Sequence, residues 1–107
     1  MNTLNTNTPE STRHAIKHFI NKFEATREEE WCIGHLLGKD GSRCAIGMTL
    51  DERNAGTEET DLLWRLAQNI PSGPASINDG RHSAYPQPTP RQRVLAWLYD
   101  LLKGVGK

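Results

Sequence analysis

Residues 31–50 read WCIGHLLGKDGSRCAIGMTL, and whether they form strands or helix decides the fold class. Glycines stand at positions 34, 38, 41 and 47. Lys39-Asp40-Gly41-Ser42 is a turn signal, because Asp-Gly tolerates the positive φ of a tight hairpin. The expectation is a glycine-rich β-hairpin or a compact pair of extended segments. Cys44-Ala45-Ile46-Gly47-Met48 could instead open a short helix, and periodicity does not arbitrate over so short an apolar run.

Helical patterns flank this centre. Upstream, Ala15, Ile16, Phe19, Ile20 and Phe23 recur at the spacing of one helix face. Thr8-Pro9-Glu10 supplies an N-cap followed by proline at the first helical position, where its missing N–H costs nothing. The acidic run Glu28-Glu29-Glu30 opposes a helix C-terminal dipole, so this helix is expected to stop before it. Downstream, Thr57 caps a second helix with Glu58, Glu59 and Asp61 in its first turn. Leu62, Leu63, Leu66, Ala67 and Ile70 form its stripe, and Pro71 is expected to end it. The third helix opens at Thr89-Pro90-Arg91-Gln92, which has the form of a capping box. Val94, Leu95, Leu98, Leu101 and Leu102 make its apolar face, and Gly104 is the expected C′ stop. Residues 71–88, PSGPASINDGRHSAYPQP, read as a long Pro/Gly/Ser-rich connection of the kind that often carries function. The fold class expected is therefore α+β: about three helices packed around a small glycine-rich β-hairpin or irregular centre. One domain spans 9–104, and the Asn/Thr-rich residues 1–8 are expected to be a disordered terminus.

Composition narrows the function. The chain has 107 residues, with 13 Lys+Arg against 13 Asp+Glu and only 36% hydrophobic residues. Net neutrality argues against a binder of long nucleic acid, which shows a basic domain or stripe. No apolar run approaches the roughly 18 residues of a membrane span, so no membrane partner is expected. No secretion signal opens the chain, and a cytoplasmic location with reduced Cys32 and Cys44 is the expectation. Charge is uneven: residues 57–70 carry one base and three acids, residues 71–107 five bases and two acids. That balance favours a small anion near the end of the chain over a long polyanion.

Three kinds of chemistry compete. Cys32, His35, Cys44 and His82 are types that zinc accepts, but their spacing is not that of a paired knuckle, and no metal is expected. Cys44 with His35 or His82 as base, and Asp79 orienting the histidine, would make a small hydrolase. No catalytic residue is assigned on spacing alone. The paired acids Asp51-Glu52 and Glu58-Glu59 are explained by turn and helix-start chemistry. The late loop is the favoured site. In Ile77-Asn78-Asp79-Gly80-Arg81-His82, Arg81, with Arg43, would clamp phosphate. Asn78 and Asp79 would read a ribose or base edge, and His82 or Trp31 would cover it. The N-terminus of the last helix, beside Arg91 and Arg93, adds further groups for an anion. The function expected is non-enzymatic binding of a small anionic, nucleotide-like ligand without a cofactor, by a homo-oligomer. The alternative is a protein-interaction module that uses exposed faces of Trp64 and Trp97.

The motif set Trp31…Gly34, Arg43-Cys44-Ala45-Ile46-Gly47 and Ile77-Asn78-Asp79 resembles a family of small bacterial and phage proteins. These share a Trp-x-x-Gly…Cys-Ala-Leu-Gly-like core and a downstream Asn-Asp. The likeness spans about residues 12–102, with Ile46 where the family usually has Leu. It implies that Trp31, Cys44, Gly47, Asn78 and Asp79 lie near one another, and it implies no reaction. Small phage domains that sequester the signalling nucleotides of bacterial immunity supply an analogy for an anti-defence role.

Overall fold

A computed structural model describes residues 7–105. It contains four α-helices: α1 (Pro9–Glu24), α2 (Glu58–Leu66), α3 (Pro74–Asn78) and α4 (Pro90–Gly104). Single 3₁₀ turns occupy Glu28–Glu30 and Gly47–Thr49. Most of the expected terminal segment 1–8 lies outside the described residues; Thr8 is inside them and caps α1.

The caps explain where the helices begin. Thr8 Oγ1 accepts from Ser11 N–H at 3.0 Å, and Ser11 Oγ accepts from Thr8 N–H at 2.9 Å. Thr57 and Thr60 repeat the same reciprocal arrangement at α2. Each satisfies two of the backbone donors that a helix start leaves without partners. Thr89 accepts from Gln92 N–H at 3.2 Å and starts α4 behind Pro90. The apolar face of α1 is buried as its spacing requires: Ala15, Ile16, Phe19, Ile20 and Phe23. It packs against α4, whose Val94, Leu95, Trp97 and Leu98 are buried, and α3 lies on α4 as well.

The α+β expectation is overturned. Helix accounts for 52% of the structure, and no sheet forms among the described residues. The Asp-Gly turn does close: Gly41 has φ +87°, and Gly38 N–H donates to Ser42 O at 2.8 Å. Its arms then part. Arg43 makes one parallel bridge to Trp31 and one antiparallel bridge to Leu37, and neither extends. The chain bends at Gly34 (φ +77°) and folds inward at Cys44 toward the 3₁₀ turn, so no second residue pair comes into register. A two-stranded ribbon without further partners is marginal, and here packing against helices replaces it.

Three boundaries also differ from expectation. Helix α2 ends at Leu66 rather than at Pro71, which falls inside the turns at 67–73 that follow. The long connection is not uniformly irregular, because α3 forms inside it, with Gly73 at its N-cap (φ +64°) and Pro74 at its first position. Gly73 is required there for space as well. A Cβ would stand 2.1 Å from Cζ3 of Trp64, whose ring lies across it. Gly104 does not adopt a left-handed stop; α4 runs through it to Val105.

Trp97 is 1% exposed, and its indole N–H has no hydrogen-bond partner among the described residues. Trp97→Ala is expected to cost about 3–5 kcal/mol in urea unfolding, as for other large buried aromatics. Trp97→Phe removes the unpartnered donor together with part of the ring, and should lose clearly less stability in the same measurement.

Candidate functional site

Asn78 is the centre of the region that the sequence singles out, and it is completely buried. Its Oδ1 accepts from Ala45 N–H at 3.0 Å, and its Nδ2 donates to Cys32 O at 2.9 Å and to Asp79 Oδ1 at 2.9 Å. Asp79 Oδ1 also accepts from Gly34 N–H at 3.0 Å. The end of α3 thus binds both arms of the 31–45 segment. Gly47 closes the unit: its N–H donates to Cys44 Sγ at 3.3 Å, and a Cβ there would fall 2.1 Å from the Leu36 carbonyl oxygen.

The arginines expected to face an anion at the start of α4 hold helix ends instead. Arg93 is buried and donates to Ile77 O at 3.2 Å, Asn78 O at 2.8 Å and Gln87 O at 2.8 Å. Arg91 donates to Phe23 O at 3.3 Å and Glu24 O at 3.0 Å, and its Nη1 lies 3.5 Å from Glu28. Carbonyls left open at helix C-termini carry partial negative charge, and a guanidinium fork satisfies several at once. Positive charge is consumed by the last turns of α3 and α1.

The six residues expected to hold a ligand sit in different surroundings. Trp31 is 7% exposed, donates from Nε1 to Thr26 Oγ1 at 2.8 Å, and meets Phe23 edge-on at 5.2 Å. Asn78 and Asp79 are engaged as described. Arg81 is largely in solvent, 3.7 Å from Asp79 Oδ2. His82 Nδ1 accepts from Ala84 N–H at 3.2 Å, and its ring leans on Tyr85. Arg43 alone among them lines a groove of about 580 Å³, shared with Lys22, Thr26, Glu30, Gly41, Met48, Leu50, Asp51 and Glu52.

Among the described residues, neither cysteine is hydrogen-bonded to a histidine ring. Cys44 is buried, and its desolvation pushes the thiol above its ordinary value, the opposite of nucleophile activation. Cys32 Sγ donates to His35 O at 3.3 Å, and both thiols are free. Among the described residues, no group of three or more His, Cys, Asp and Glu side chains is placed to hold a metal ion. Asp40 is held below the usual carboxylate range by the hydroxyl and the N–H of Ser42, which fixes the 39–42 turn.

Sequence reasoning missed one surface. Ile33, Leu36 and Leu37 are 53%, 48% and 37% exposed and project from the loop that Asn78 and Asp79 brace. Three large apolar residues within five positions, interrupted by Gly34 and His35, were the available signal. Trp64 is exposed, but Trp97 is not, so the two tryptophans present no shared face to a partner. No family model, curated protein or solved structure matches the chain.

Replacing Asn78 by Ala leaves the buried Ala45 N–H and the Cys32 carbonyl without their partner, and is expected to cost about 1–3 kcal/mol in chemical unfolding. Alkylation reports the environment of the thiols. At mildly alkaline pH, iodoacetamide should label Cys32 in the native protein and spare Cys44, and peptide mass spectrometry should find both labelled in urea.

Proposed function

We propose that this chain is a binding module that contacts another protein through residues 33–37. The observation that carries this is the pairing of exposed apolar side chains with a pinned backbone. Ile33, Leu36 and Leu37 face solvent, while Gly34 N–H is held by Asp79, Leu36 O by Cys44 N–H at 3.2 Å, and Gly38 N–H by Ser42 O. Isolated exposed apolar residues on a surface need no explanation. Presenting three of them on a loop fixed at three points lowers the ordering cost that association normally incurs. A second copy of this chain is the first partner to test, since self-association would also make the protein a homo-oligomer.

Sequestration of a small nucleotide-like anion, as in an anti-defence role, draws less support. The polar groups of Trp31, Asn78 and Asp79 serve the fold, and Arg81 stands in solvent and does not line Arg43's groove. A cysteine hydrolase draws less still, because neither His35 nor His82 makes a hydrogen bond to Cys44.

A photo-crosslinking amino acid at Leu36 checks the proposal, with the same probe at exposed Lys17 on α1 as control. The expected outcome is a discrete adduct at Leu36 that Ile33→Asp abolishes without lowering the melting temperature. Equal labelling at the two positions, or none at Leu36, would sink it. An adduct at twice the chain mass identifies self-association.

A further inference from the structure

The groove beside α1 combines groups that the fold does not use up. Its volume of about 580 Å³ lies within the roughly 300–1,000 Å³ typical of small-molecule sites. Met48 and Leu50 supply its apolar lining, and five charged side chains line it besides. Three of those five are engaged. Lys22 Nζ lies 3.1 Å from Glu59, which also meets His18 Nε2; Glu30 lies 3.5 Å from Arg27; and Asp51 Oδ1 accepts from Arg53 N–H and Ala55 N–H.

The other two are Arg43 and Glu52. Half-buried Arg43 donates from Nη1 to Gly47 O at 3.0 Å, which fixes the guanidinium by one corner. Among the described residues it has no carboxylate partner, and Glu52 has no cation. The two line one groove without pairing, so the groove carries separated charges of opposite sign next to apolar surface. A polyphosphate suits this poorly, because Glu30, Asp51 and Glu52 outnumber Arg43 and Lys22 and repel added negative charge.

We infer that the groove binds a small zwitterion whose carboxylate pairs with Arg43 and whose ammonium pairs with Glu52, its aliphatic part lying on Met48 and Leu50. Amino-acid-like molecules and the charged ends of short peptides have this chemistry. A guanidinium already anchored by one hydrogen bond loses less freedom when a carboxylate takes its remaining N–H groups. The groove's lining includes no residue of the apolar loop 33–37, and the inference does not rest on that loop's contact with a protein.

The test is a ¹⁵N-resolved NMR titration of the full chain with four probes: ε-aminocaproate, hexanoate, hexylamine and adenosine monophosphate. ε-Aminocaproate should give saturable shifts at the Met48 and Leu50 amides. Hexanoate and hexylamine, each lacking one charge, should bind more weakly by roughly fivefold, the worth of one solvent-facing ion pair. Glu52 is exposed and makes no ion pair among the described residues, so Glu52→Gln is expected to leave the melting temperature unchanged. It should reduce ε-aminocaproate to the affinity of hexanoate and leave hexanoate unchanged, while Arg43→Gln should weaken both. Equal binding of the four probes, tighter binding of adenosine monophosphate, or no saturable shift at Met48 and Leu50 would overturn the assignment. An unaltered ε-aminocaproate affinity in Glu52→Gln would overturn it as well.

Discussion

The carboxamide of Asn78 is the constraint on which the rest of the structure depends. It is buried from water, and it exchanges one acceptor and two donors for Ala45 N–H, Cys32 O and Asp79 Oδ1. A buried amide without partners would cost several kcal/mol, so its hydrogen bonds decide where the segment can sit. The 31–45 region lacks a sheet to organise it, and α3 supplies the edge that a neighbouring strand would otherwise provide. Asp79 extends the grip to Gly34, and the loop between these anchors is held in one shape with its apolar side chains outward.

Arg93 fixes the other side of the same hub. Its guanidinium gathers the carbonyls of Ile77, Asn78 and Gln87, which ties the last turn of α3 and the following loop to the first turn of α4. Gly80 lies against that guanidinium, where a Cβ would approach Arg93 Cζ to 3.2 Å. Arg91 performs the matching task for α1, so two arginines two positions apart secure two helix C-termini. This answers the charge asymmetry of the late sequence. Much of its excess positive charge neutralises helix ends rather than facing a ligand. Arg81, which escapes that duty, is exposed beside Asp79 and is not among the residues that line Arg43's groove.

Arg43 links the two surfaces. Its backbone bridges Trp31 and Leu37, its side chain lines the groove, and its guanidinium holds Gly47, which packs directly on the Leu36 carbonyl. Occupancy of the groove and the posture of the apolar loop therefore bear on the same few residues. The small hydrophobic core, in which α1 packs against α4, carries this irregular platform and reaches into it through Trp31, Cys44 and Ala45.

The sequence by itself determined helices α1, α2 and α4. Their apolar residues recur at helical spacing, and Thr8, Thr57 and Thr89 mark their starts, so local chemistry suffices. It also placed the Asp40-Gly41 turn, because positive φ at that glycine is a local demand. Tertiary structure alone decided the class of the centre, the presence of α3 and the roles of Asn78, Arg91 and Arg93. A five-residue helix is too short to show periodicity, although Gly73-Pro74 marks its start. Asn-Asp-Gly reads as turn chemistry whether it faces water or the interior, since its partners Cys32, Gly34 and Ala45 lie more than thirty residues away. An arginine looks the same on paper whether it awaits a phosphate or caps a helix. Only the arrangement of distant carbonyls around it settles which, because hydrogen bonding and desolvation depend on position in space rather than on order along the chain.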